Sequence, residues 1–398
     1  MNPPDDRVAD RLFCLLLGVY GGGGLLNAIV NLLVPRLQIT LGLDYAQALS
    51  VHLAYYSSYL LFALPITLWS IRIGAMRAIT AGLAIMASGC LLFAVAQGQR
   101  DFAFVLTTLL VMSAGVTFLQ ISGNAVTTAF GGSVRMAPRF TLLQAFNSLG
   151  TVIGPLIGAW FLLGRAAAAA PVQPFLIGAV ALLLLAAAFW AHRDLLPRPR
   201  SSPLLWSGLG ALVRRGRMQA AMGAIFAYVG AEVTIATLAV DYLMRPDTLG
   251  QSPLAAGRLV SLYWAGAMAG RFAGSYALRR IGIRHLLCAA CIGAASLLVI
   301  AMTARGSVGG VALLAIGLCH SVMFPLIFTL ALPAEDKDAA LASMLLCMAV
   351  VGGAVIPVVT GLLADRIGLV PSLVVPGLCY GVIFAFGRAT TPRVPGAA

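Results

Sequence analysis

Twelve long apolar runs restrict the fold of this chain more than any other feature of its sequence. A helix needs about twenty mostly apolar residues to cross a bilayer. Runs of that order lie at Leu12–Val34, Gln47–Ser70, Ala78–Ala96, Phe102–Phe130, Thr141–Leu163 and Val172–Ala191. After a hydrophilic stretch from His192 to Arg217 come Met218–Leu243, Leu254–Leu278, Leu286–Ala304, Val308–Leu332, Ala339–Ala364 and Ser372–Phe386. Only 10% of the 398 residues are charged, against about 25% in a soluble domain, and the mean hydropathy is +0.96. The first run is too long for the apolar core of a cleavable signal and suits a spanning helix. The pattern predicts an all-α membrane protein of twelve transmembrane helices in two pseudo-symmetric six-helix bundles. The bundles are residues 1–191 and 218–398, with a linker at 192–217.

The net charge of +13 would suit a nucleic-acid binder if it formed one patch. It does not, because the arginines sit in short gaps between apolar runs, which reads as a topology signal. With the N-terminus in the cytoplasm, the inner segments carry eighteen basic residues, including Arg72, Arg77, Arg193, Arg214, Arg215, Arg217, Arg279, Arg280 and Arg284. The outer loops carry six: Arg36, Arg100, Arg165, Arg245, Arg305 and Arg366. This asymmetry predicts cytoplasmic N- and C-termini, and a cytoplasmic linker.

The seven cysteines all lie in apolar runs, and the C-x-x-C of Cys288 and Cys291 is inside one of them, which suits small buried hydrophobes better than redox chemistry. No phosphate loop, metal-ligand cluster or catalytic constellation stands out, so the sequence points away from an enzyme and implies no cofactor. The run Gly21–Gly24 has no preceding strand and no following lysine. It reads as a thinned helix face for close packing.

Polar groups inside spans point to function, because a charge at mid-membrane costs about 2.5–3.5 kcal/mol on insertion scales. Helix one carries Asn27 and Asn31 one turn apart; helix four carries Gln120, Asn124 and Thr127; helix five carries Gln144, Asn147 and Thr151. Helix seven carries Tyr228 and Glu232, and helix ten carries His320. Each set falls on one helical stripe. Interhelical hydrogen bonding is the simpler use of such residues. Glu232 reads as the only acid deep within a span and as a candidate coupling residue, with His320 the other titratable group near mid-depth. Arg271, near the inner end of helix eight, reads as a snorkelling or gating residue. Tyr55, Tyr56 and Tyr59, with Tyr263 and Trp264, are candidates to stack on a ring or sugar face.

These residues carry a resemblance. Asn27–Pro35 (NAIVNLLVP), Gln144–Gly150 (QAFNSLG), Tyr228–Ala231 (YVGA), Gly270–Phe272 (GRF) and Gly352–Gly361 (GGAVIPVVTG) resemble the major facilitator superfamily, and within it the fucose-permease-like sugar:proton symporters. The superfamily loop motif G-x-L-x-D-R-x-G is degenerate at Ile71–Gly74 and at Arg279–Gly282, and intact only from Gly361 to Gly368. The resemblance implies carboxylates at the positions of Asn31 and Gln120, where this chain has amides, and an amide at the position of Glu232.

The expected function is secondary transport of a small polar organic solute, a sugar among the candidates, across the inner membrane by alternating access. Asn27, Asn31, Tyr56, Gln120, Asn124, Gln144, Asn147, Tyr228, Glu232 and His320 would contact substrate, Glu232 would couple to protons, and Arg271 would gate. The implied partners are the solute, protons and the bilayer, with no nucleic acid, and the chain is expected to be a monomer. Rival readings are a carrier of a larger amphipathic compound, such as a drug or siderophore, and an uncoupled uniporter.

Overall fold

The computed structural model describes residues 6–99, 101–127, 133–164, 172–196, 210–278, 280–331, 342 and 344–390. The described residues are nearly all helical, with no strand among them. In chain order the helices are α1 (Asp6–Leu41), α2 (Tyr45–Ile73), α3 (Ala75–Gln99), α4 (Phe102–Thr127), α5 (Ser133–Leu162) and α6 (Gln173–Ala191). They continue with α7 (Gly216–Met244), α8 (Pro253–Ala277), α9 (Ile283–Thr303), α10 (Ser307–Ala331), α11 (Gly352–Ile367) and α12 (Val374–Ala389). A 3₁₀ turn at Ala349–Val351 leads into α11, and a four-residue turn at Leu369–Ser372 leads into α12.

Eleven described segments are long and apolar enough to span a bilayer. The remaining helix, α8, has 25 residues, enough for about 37 Å of rise, but Arg258 and Arg271 lower its hydropathy. The twelve predicted spans therefore correspond to twelve helices, most of which run past the apolar runs at one or both ends. Residues 128–132 and 332–341, which include parts of three predicted spans, and residues 197–209 of the predicted linker lie outside the described residues. Large apolar side chains cover the outward faces: Ile177, Leu184, Phe272 and Leu378 are 64–68% exposed. Apolar surface of this kind requires lipid around it.

Contacts divide the chain into two compact units, one of Met1–Gly42 and Ala54–Pro203, the other of Leu43–Leu53 and Leu204–Ala398. The first turns of α2 thus belong to the second unit.

In the first unit α1 lies along α5, and α3 packs on α4 and α6. Hydroxyls join α2 to α4: Ser58 Oγ is 2.6 Å from Ser113 Oγ and 3.1 Å from Thr117 Oγ1, and Ser70 Oγ is 3.2 Å from Ser122 Oγ. Such pairs satisfy polar groups that lipid cannot. The glycine run does thin α1: a Cβ on Gly24 would collide with the Asn147 carbonyl, and one on Gly150 with the Gly21 carbonyl.

In the second unit α7 is the central helix, touching α8, α10, α11 and α12. Of its most apolar window 83% is buried, more than in any other described span. Polar side chains deep along α7 are therefore set among packed helices, which is what singles out Tyr228, Glu232 and Asp241.

The α1–α5 crossing makes a direct prediction. Gly150→Val forces a side chain into backbone and is expected to destabilise by about 1–3 kcal/mol. Gly22→Ala, with nothing within 4 Å of the added carbon, is expected to be neutral. Thermal unfolding of the purified protein in detergent checks both, and equal midpoints would show that the crossing is not tight.

Candidate functional site

The second unit holds the richer polar assembly. Tyr228 and Glu232 are one turn apart on α7, and the tyrosine hydroxyl donates to Glu232 Oε1 at 2.6 Å. Arg271, exposed on α8, acts electrostatically on both groups. The carboxylate therefore has one oxygen satisfied by a local donor and a cation within reach of its field. Glu232 itself is part-buried, whereas Tyr228 is buried.

Beside this pair, His320 on α10 is fully enclosed. Its Nδ1 is 2.5 Å from the Tyr263 hydroxyl of α8, and its Nε2 is 2.8 Å from the Tyr380 hydroxyl of α12. A neutral imidazole has one donor and one acceptor nitrogen, so one tyrosine donates to the ring while the other accepts from it. Both nitrogens are thereby committed, and His320 fastens α8, α10 and α12 together. Gly317, one turn earlier on α10, allows this approach, since a Cβ there would strike the Tyr263 carbonyl. The imidazole also stands edge-on to Tyr228, with ring centres 5.8 Å apart.

Aromatic rings extend the assembly. Phe324 lies 5.9 Å from Tyr228 and 5.9 Å from Phe328, and Trp264 meets Tyr263 edge-on at 5.1 Å. Two buried polar atoms on one face of α8, Ser261 Oγ and Trp264 Nε1, have no hydrogen-bond partner among the described residues. A buried donor without an acceptor costs about 1–3 kcal/mol. A surface of rings with unsatisfied donors is chemically suited to a molecule bearing hydroxyls on an apolar ring.

The amide positions of the first unit are arranged differently. Asn31 is 3% exposed, and its Oδ1 has no partner among the described residues. Asn27 is part-buried and Gln120 is exposed. No hydrogen bond among the described residues joins these three. Tyr56 is buried, edge-on to Tyr55 at 5.2 Å and stacked on Tyr59 at 6.1 Å. Asn147 Nδ2 donates to the Tyr20 carbonyl at 3.1 Å, so this amide ties α5 to α1. The side chains of Asn124 and Gln144 lie outside the described residues.

Of the residues expected from the sequence, Tyr228, Glu232 and His320 lie in this one assembly, while Tyr380 and Ser261 carry no spacing signal that separates them from ordinary span residues. The sequence also hides a second acid. Asp241, two and a half turns beyond Glu232 on α7, has Oδ2 buried without a partner among the described residues. Glu232 is accordingly not the only enclosed carboxylate in a span. Asp241 sits near the end of its apolar run, where an acid reads as solvated. His52 on α2 went unmarked as well, and is fully buried.

The comparisons with known proteins agree with this architecture. The family model of the Major Facilitator Superfamily matches residues 13–334. This chain belongs to the major facilitator superfamily. It is 35% identical over 371 residues to the glucose/galactose transporter of Brucella abortus, covering 92% of this chain and 90% of that protein. It is 26% identical over 408 residues to the L-fucose-proton symporter of Escherichia coli, covering 94% and 92%. A crystal structure of a variant of the E. coli fucose:proton symporter superposes with a TM-score of 0.72 at 24% identity, covering 96% of this chain and 98% of that one. As a superfamily member with twelve spanning helices, the chain is a multi-pass membrane secondary transporter.

Removing His320 strands two buried hydroxyls. His320→Ala is expected to cost about 2–5 kcal/mol, one lost hydrogen-bonding group plus a cavity. Tyr263→Phe is expected to cost about 1 kcal/mol. Thermal denaturation in detergent separates these magnitudes, and a His320→Ala midpoint equal to that of the parent protein would contradict the committed imidazole.

Proposed function

We propose that this protein is a sugar:proton symporter of the inner membrane, taking up a hexose of the glucose or galactose kind by alternating access. The observation that carries the proposal is the Tyr228–Glu232 hydrogen bond of 2.6 Å, set among aromatic rings on the most enclosed helix. The names of the curated relatives, two of which are sugar transporters, support the substrate class and make a drug or siderophore the weaker reading.

The unpartnered Trp264 Nε1–H and Ser261 hydroxyl donate to sugar oxygens, while Tyr228, Trp264 and Phe324 offer ring faces to its C–H surface. Asn27, Asn31, Tyr56, Gln120, Asn124, Gln144 and Asn147 supply the amides and hydroxyl of the first unit, which bind hydroxyls without changing charge. Glu232 carries the proton. A carboxylate in a water-poor setting is costly when ionised, so binding a proton lowers the cost of enclosing the loaded site. In this reading His320 positions Tyr263 and Tyr380 rather than exchanging protons, and Arg271 restores Glu232 to its ionised form when the site empties inward. The excess of arginine in the inner segments supports cytoplasmic termini. No observation calls for a second subunit, and the protein is taken to act as a monomer.

A second reading, an uncoupled uniporter, is favoured by Asn31 and Gln120 standing where fucose permeases carry acids. Liposomes separate the two. The symporter reading expects external alkalinisation when glucose or galactose is added, and accumulation that collapses with a protonophore. Glu232→Gln is expected to lower accumulation by about tenfold or more, a change of about 1.4 kcal/mol, while sugar counterflow persists. Sugar flux with no proton movement in the parent protein would establish the uniporter instead. Full proton coupling in Glu232→Gln would remove Glu232 from the mechanism.

A further inference from the structure

The second unit contains another enclosed titratable group that the mechanism above does not use. Asp241 lies on α7 one turn beyond Thr237. Thr237 is fully buried, and its Oγ1 is 2.8 Å from Nε2 of the equally buried His52, on the first turns of α2. Asp241 is only part-buried as a residue, yet its Oδ2 is shut from solvent with no partner among the described residues. One side of this acid is thus accessible while one oxygen points into the protein.

The charged groups around it are spoken for. Arg245, one turn on, chelates Asp247 through hydrogen bonds of 2.9 and 2.8 Å, which hold the Asp247 carboxyl below its usual value. Asp365 of α11 accepts the backbone N–H groups of Tyr45 and Ala46 at 2.9 and 3.0 Å, capping α2. Tyr45 is the phenol within the field of Asp241. The other titratable groups at this end include Asp44, which accepts the Gln47 N–H at 2.6 Å, Tyr242, whose hydroxyl donates to the Ala301 carbonyl, Arg258 at the start of α8, Arg305 before α10 and Arg366 after Asp365. Among the described residues no cation is shown hydrogen-bonded to Asp241.

We propose that Asp241, with the Thr237–His52 pair one turn deeper, is a proton-binding site that loads Glu232 from the outer side. The orientation follows from the arginine distribution, which places the Met244 end of α7 outside. The proton binds Oδ2 of Asp241, turning a carboxylate into an acid. It then passes inward over a hydroxyl and an imidazole, each of which both donates and accepts, so no charge is left on either. An alkali cation is a poorer occupant, because a hard cation wants six or more oxygens and this place offers one carboxylate and one hydroxyl. Among the described residues no metal-holding group of acids, histidines and cysteines occurs. The inference rests on proton coupling through Glu232, and its test separates the two.

The experiment uses purified full-length protein in liposomes, with galactose as the driven sugar and a pH dye as readout. Uptake by the parent protein is expected to rise as the outer pH falls. In Asp241→Asn that dependence is expected to flatten and coupled uptake to drop about tenfold, with counterflow within about threefold of the parent. His52→Phe, which removes the relay ring nitrogens, is expected to slow coupled uptake similarly. An infrared band of a protonated carboxyl, present in the parent and lost in Asp241→Asn but not in Glu232→Gln, identifies the group even where a variant transports poorly. Parent-like pH dependence in Asp241→Asn, with an unchanged band, overturns this site and leaves coupling through Glu232 standing. Absence of proton movement in the parent, or sodium substituting for protons, overturns both.

Discussion

The structure depends on one constraint: inside a membrane every polar group must find its partner in the protein. The Tyr263–His320–Tyr380 chain answers it most completely. Three side chains from three helices share two hydrogen bonds of 2.5 and 2.8 Å, and none of them reaches solvent. Because no water can replace a lost member, the chain fixes how α8, α10 and α12 pack. It thereby holds the ring of Tyr263 against Trp264 and sets the imidazole edge against Tyr228. The same rule explains the hydroxyl pairs between α2 and α4 and the amide of Asn147 on α1. In each case a polar side chain joins two helices.

Against that background the unsatisfied atoms carry more information than the satisfied ones. Asn31 Oδ1, Ser261 Oγ, Trp264 Nε1 and Asp241 Oδ2 are enclosed without partners among the described residues. Each costs stability as it stands, and each lies on a helix bearing candidate site residues. A carrier must keep some groups in this condition, since a site whose donors are all internally paired has nothing to offer a hydroxylated solute.

The helices were legible in the sequence because hydropathy over twenty residues is a strong signal, and the glycine run of α1 announced its close crossing with α5. The ends were less legible: α1 continues from Val34 to Leu41 through Pro35 and Arg36, since interfacial turns need no apolar residues. Of the site, Tyr228 and Glu232 could be paired from their spacing alone. The partners of His320 lie 57 and 60 residues away, and His52 meets Thr237 across 185. Periodicity along one helix contains nothing about such meetings, so His320 read as a ligand-facing group when its nitrogens are both taken. Asp241 was hidden by position, because the edge of an apolar run is where solvated acids are commonplace.

In the proposed symporter, amides on the helices of the first unit and acids on α7 have a physical consequence. On the proposed reading, amides at Asn31 and Gln120 bind hydroxyls without changing charge, so the first unit would recognise sugar without sensing protons. Glu232 and Asp241, both part-buried on one helix, change charge when protonated, and α7 touches four other helices of its unit. Placing both acids on the central helix makes the protonation state a property of the packing of that unit as a whole. Recognition and coupling are then divided between different sets of side chains. On that reading a substitution such as Asn31→Asp would place a titratable group among the amides of the first unit, and sugar affinity measured across pH is expected to become pH-dependent.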